Sequence, residues 1–230
     1  MRPQDKGGQG VDTTGARANI LARIRSAQGR GASPTEAELR AADDYVARHT
    51  VAPQPTVGTD AVAHCEAQAQ RMSSTTERVP RSDDVPAAVA RFLQAHALPV
   101  RAVCWRTLEP LDWAGAGVTI EARAPHGDDL VGITGVFAAI AETGTLMMLS
   151  GPDTPASTHL LPETHFAVVP ASRVVRHYED AFALVRSERG QPPRAMNLVS
   201  GPSRTGDIEQ TIVLGAHGPY RVHIVIVEGE

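Results

Sequence analysis

From residue 100 onward the chain is a succession of short, β-branched apolar runs, and this feature narrows what it can fold into more than any other. Residues 100–105 are compact and β-branched enough for a strand, and 118–122 alternate at period two as a half-buried strand does. The pattern returns at 131–134, 165–169, 196–199 and 222–227. Residues 138–149 are apolar on both sides of Glu142-Thr143-Gly144-Thr145, which reads as two arms entering a core around a bend. Between the later runs, residues 178–187 turn Phe182 and Val185 to one side at helical spacing. Strands alternating with helices predict a layered α/β domain.

The first hundred residues follow a different period. Ile20, Leu21 and Ile24 make one helical stripe within 16–27. Ser33-Pro34-Thr35-Glu36 reads as a helix start, with Ser33 as the capping hydroxyl and Pro34 at the first helical position, and the helix runs to about Arg48. Pro53 and Pro55 interrupt the chain. Two further helices are predicted, over about 60–72 and from about Asp83, the second turning Val89, Phe92 and Leu93 inward before Pro99 ends it. The expected organisation is a flexible tail over 1–15, a helical part over 16–98, and an α/β core over 99–230 continuous with it.

Composition restricts the function classes. Aromatic residues are 4% of the 230, so the core is built from Ala, Val, Leu and Ile. A formal charge of −4 gives no electrostatic basis for nucleic-acid binding. Two cysteines, Cys65 and Cys104, cannot supply the four thiolates of an iron–sulfur cluster or a cysteine-rich zinc site. No run approaches the ~18 apolar residues of a membrane-spanning helix. Nothing after Met1 resembles the apolar stretch of a secretory signal, so the expected address is the cytoplasm.

Four segments could carry chemistry. Glu142, inside an apolar run, is a candidate proton carrier or nucleophile, with Thr143, Gly144 and Thr145 beside it; the alternative is a tight turn with Glu142 in water. Residues 200–209 follow a strand and offer Ser200, Gly201, Ser203, Arg204, Thr205, Asp207 and Glu209, a set able to surround an anion with hydroxyls, amides and a guanidinium. The loop lacks the Gly-Lys-Ser/Thr ending of a Walker loop, and a plain connection is its alternative. His217, between Ala216 and Gly218, is accessible as a proton carrier or anion donor, or sits in a surface turn. His159, Glu163 and His165 are close in sequence, yet Pro162 breaks the helical geometry that would align them, so no metal site is expected. Gly115-Ala116-Gly117 precedes a strand and lacks the third glycine of a dinucleotide fingerprint.

Residues 139–145, 149–152, 168–173, 200–209 and 215–219 together resemble the LUD-domain family, in its lactate-utilisation protein C group. The resemblance covers residues 100–227. It implies a fold similar to the NagB/ribose-5-phosphate-isomerase/CoA-transferase group, a layered sheet with flanking helices and a helical N-terminal part. It also implies a non-cluster subunit contributing to the oxidation of L-lactate to pyruvate beside iron–sulfur partner proteins. Clusters are then expected only in the partners, with no cofactor on this chain. Glu142 and His217 stand as catalytic candidates; Thr143, Gly144, Thr145 and the seven named residues of 200–209 stand as ligand-binding ones. Phe137 occupies a position where the family often carries an acid, and Gly206 and Ala216 replace the usual Ala and Val. A free-standing CoA-transferase-like or sugar-phosphate enzyme, and a non-catalytic anion-binding module, are the competing expectations. An anionic small-molecule partner and a homo-oligomer are compatible with each.

Overall fold

In the computed structural model, which describes residues 14–206 and 213–229, the chain folds as two units, Met1–Ala52 and Pro53–Glu230. The first contains helices α1 (Thr14–Ala27) and α2 (Glu36–Arg48). The cap of α2 is Thr35, not the expected Ser33. Thr35 Oγ1 accepts from the Glu38 amide at 3.2 Å, and the Glu38 carboxylate accepts from the Thr35 amide at 2.8 Å. Both Ser33/Glu36 and Thr35/Glu38 have the hydroxyl-to-glutamate spacing, and the second pair closes the reciprocal box.

The second unit runs α3 (Ala61–Arg71), β1 (Thr75–Val79), α4 (Val85–Ala95), β2 (Arg101–Cys104), β3 (Thr119–Glu121), β4 (Val131–Gly135), β5 (Ala138–Ile140), β6 (Thr145–Leu149), β7 (Thr164–Pro170), β8 (Val174–Val175), α5 (Tyr178–Arg189), β9 (Met196–Val199), β10 (Arg204–Thr205), β11 (Val213–Leu214) and β12 (Arg221–Val227). The mixed α/β class follows the sequence reading. β1 lies inside the stretch read as helical. It carries only one buried residue, Val79, and takes its edge position by pairing with β12, which no local pattern announces.

Six strands form one parallel sheet in the order β1-β12-β7-β4-β2-β3. Both faces of a parallel sheet must be covered, and the side-chain alternation divides the work. Phe166, Val168, Val225 and Val227 face a cluster with Val85, Val89, Phe92 and Leu93 of α4. The intervening Ala167, Val169, Ile224 and Ile226 face a second cluster with Cys65 and Ala69 of α3 and with Ala139, Leu146 and Met148. The smaller sheet, β8-β5-β6-β9, therefore lies against the larger one. Its opposite face, with Phe137, Ala138, Ile140, Met147 and Leu149, packs on Ala181 and Val185 of α5. Burying an aliphatic side chain is worth ~1.5–3 kcal/mol, so this four-layer stack holds the unit together. Gly132 on β4 is required where the 156–159 turn crosses the strand: a Cβ there would lie 2.2 Å from the Thr158 carbonyl oxygen.

The strand order places a branch point beside β2. The chain leaves β2 for β3 on one side and then crosses to β4 on the other. In open parallel sheets the crevice outside the carboxyl ends of two such strands is the usual ligand position.

Candidate functional site

The β5–β6 hairpin links two polar regions, one at its tip and one at its open end. At the tip, Glu142 is almost fully buried, with 8% of its side chain exposed. One carboxylate oxygen accepts from the Tyr178 amide at 3.0 Å and the other lies 3.0 Å from His177 Nδ1. Glu142 thus caps the start of α5, where unpaired amides and the helix dipole favour a carboxylate. Its neighbours form a hydroxyl cluster. Thr145 Oγ1 is 2.7 Å from Thr143 Oγ1, 2.9 Å from Tyr178 Oη and 2.6 Å from Ser200 Oγ. Gly144 has a φ of +66°, and a Cβ on it would lie 2.2 Å from the Ala69 backbone nitrogen, so the turn is pressed onto α3.

Ser200 carries the cluster into the 200–206 segment. Gly201 has a φ of +81° and runs so close to α3 that a Cβ would meet the Met72 carbonyl oxygen at 2.1 Å. Arg204 donates to that carbonyl at 3.3 Å and to the Ser73 hydroxyl. Thr205 pairs with Val213 in the β10–β11 ribbon. Ser203 donates its amide to the Pro219 carbonyl at 2.9 Å and accepts from the Gly215 amide at 2.9 Å. The 200–206 and 213–219 segments therefore lie side by side, with His217 exposed on the second. Thr145 and Ser200 join this pair to the hairpin tip, whereas Glu142 directs its carboxylate to α5 and has no hydrogen bond to Ser203 or His217 among the described residues. Asp207 and Glu209 lie outside the described residues.

The open end of the hairpin borders a cleft of about 610 Å³. Trp105 and Thr107 enter it after β2, and Gly135 at the end of β4 with Val136 and Phe137 beyond it, so it occupies the carboxyl-end crevice at the branch point. Ser150, Gly151, Pro152, Asp153 and Thr154 supply one rim, and Arg173, Arg189, Gln191 and Pro193 another. The Cζ atoms of Arg173 and Arg189 lie 5.2 and 5.7 Å from the centre of the Phe137 ring. Arg173 also bonds both oxygens of Glu188, at 2.5 and 2.9 Å, and Arg106 pairs with Asp153 at 3.2 Å. Cations over an aromatic face, with hydroxyls and an amide nearby, can hold a carboxylate or phosphate. None of the ten described residues among the catalytic and ligand-binding candidates lines this cleft. The signal was present elsewhere: the quoted stretches 149–152 and 168–173 both end on it.

Behind the cleft is a buried polar core. The His159 ring packs edge-on to Trp105 with centroids 6.0 Å apart, and its Nε2 lies 2.8 Å from Asn197 Nδ2. His165 Nε2 is 2.8 Å from Thr134 Oγ1. Burial pushes His159 down to about 4, and burial with the adjacent His159 pushes His165 down to about 3. Neither belongs to a set of three or more His, Cys, Asp or Glu residues able to hold a metal ion among the described residues. Cys65 and Cys104 are buried free thiols on α3 and β2, both pushed up to about 11 chiefly by burial. No described helix is long and apolar enough to cross a membrane.

A DUF162 family protein from Deinococcus radiodurans has a similar fold, with a TM-score of 0.56 at 22% identity over 75% of this chain and 99% of that one. Proteins named lactate utilization protein C are similar in sequence. The Bacillus licheniformis protein is 36% identical over 121 residues, 51% of this chain and 50% of that protein. The Exiguobacterium protein is 33% identical over 141 residues, 60% and 61% of the two chains. The chain thus spans about half the length of the curated relatives it matches. The LUD domain profile matches residues 111–227, a stretch that contains both the hairpin tip and most of the cleft. Over half its length the chain carries that domain, and it belongs to the LUD-domain family.

Proposed function

We propose that this chain is a non-cluster subunit in the oxidation of L-lactate to pyruvate, working beside iron–sulfur partner proteins. The observation that carries the reading is that the LUD-matched segment builds the arginine-lined cleft, with Phe137, Asp153, Arg173 and Arg189 all within 111–227. Lactate and pyruvate each carry a carboxylate, the group a guanidinium fork binds in a bidentate way. The oxidation releases two electrons and two protons. Two buried thiols on separate elements are no basis for a four-thiolate cluster, which supports assigning the electron path to partners.

The contacts of Glu142 support a positioning role: both oxygens serve the α5 terminus, whereas an acyl-transfer nucleophile needs one directed at substrate. Complementation of a deletion strain tests the function. The parent chain should restore growth on L-lactate and retain iron-bearing partners in a native pull-down, and Arg189→Ala should slow that growth while leaving the protein folded. Equal growth on L-lactate with and without the chain would overturn the reading.

A further inference from the structure

We propose that the branch-point cleft receives an organic phosphate of nucleotide size, with its phosphate oxygens at Arg189 and Arg173. The inference rests on this cleft being the ligand site, and it sets aside the expectation that the chain carries no cofactor. Size is the first argument. Lactate has six heavy atoms and fills on the order of 100–200 Å³, scaling from ~30 Å³ per water molecule. A cleft of about 610 Å³ is several times larger and falls within the ~300–1,000 Å³ range of sites for much bigger ligands.

Charge is the second. Glu188 and Asp153 pair with Arg173 and Arg106, while Arg189 makes no ion pair within 4 Å among the described residues. One guanidinium is therefore left over, held above a neutral Phe137 ring that positions it without neutralising it. That surplus draws an anionic group, and a phosphate monoester adds three strong acceptor oxygens for the guanidinium donors, where a carboxylate has two. Position is the third: the strand order reverses beside β2, and the crevice at such a point in an open parallel sheet is where ligands bind, nucleotides among them. Thr107 and Gln191, also on the cleft wall, offer partners for sugar hydroxyls and base edges.

Isothermal titration of the full chain with AMP, flavin mononucleotide and NAD, beside adenosine, inorganic phosphate and L-lactate, tests this. At least one nucleotide should bind one per chain and at least tenfold more tightly than adenosine, inorganic phosphate or lactate. Arg189→Ala should weaken it tenfold or more, the scale of losing a charge-assisted hydrogen bond. Phe137→Asp, which puts a carboxylate beneath both guanidiniums, should abolish it. Arg189 is exposed, so its variant keeps the test valid should Phe137→Asp fail to fold. Failure of all three nucleotides to bind, or binding indifferent to Arg189→Ala, would overturn the proposal. L-lactate binding alone, lost in Arg189→Ala, would overturn it too while leaving the lactate reading in place.

Discussion

Glu142 shows how burial and chemistry can part company in one side chain. An acid in an apolar run suggests a reactive group, but its two oxygens are bound to the Tyr178 amide and His177. Those bonds are its reason for being buried, since an unpaired carboxylate there would be far more costly than a capped one. Glu142→Ala strips the cap and leaves the half-buried Tyr178 amide without its acceptor, and should destabilise the chain by about 1–3 kcal/mol in urea titration. Glu142→Gln keeps an acceptor oxygen for Tyr178 and should stay within about 1 kcal/mol of the parent. A Glu142→Ala protein as stable as the parent would remove the capping role and return attention to chemistry at this position.

Between elements, the 200–206 segment works as a strap across the end of α3. Gly201 permits the close approach and Arg204 fastens it to Met72 and Ser73. Arg204→Ala should therefore speed amide exchange in 200–206 and 213–219 while changing global stability by less than about 1 kcal/mol. Exchange unchanged in both segments would mean that the guanidinium holds nothing. The strands of the core were legible because residues such as Phe166/Ala167 and Ile224/Val225 alternate between two buried faces, so each run is apolar throughout. β1 was not, because Thr-Thr-Glu-Arg-Val is polar and becomes a strand only through β12. The cleft was hidden for another reason: Phe137, Arg173 and Arg189 sit on a hairpin base, a short turn and a helix end, and only the packing of α5 on the small sheet brings them together.

Across the whole second unit, three buried histidines tie stability to pH. His159, His165 and His223 are 1%, 0% and 4% exposed, and all sit on or against the parallel sheet. Burial holds His159 and His223 down to about 4 and His165 down to about 3. For His223 the Glu77 carboxylate, 3.8 Å away, opposes that shift without cancelling it. In the unfolded chain each titrates near the usual value of ~6.5. The unfolded state therefore binds more protons than the folded one between these values, and the stability present above pH ~6.5 is lost as the pH falls toward 4. Carboxylates held low by partners, such as Asp129 beside Arg123, act in the same direction only below the unfolded carboxylate value of ~4, so the upper window belongs to the histidines. Urea unfolding at pH 7.5, 6 and 5 should show a progressive fall of several kcal/mol, at most ~1.4 kcal/mol per pH unit for each histidine. His165→Gln, less stable at pH 7.5 for loss of packing, should show a shallower fall because one proton fewer is taken up on unfolding. Equal stability of the parent at pH 7.5 and pH 5 would mean that these imidazoles gain their protons inside the folded sheet.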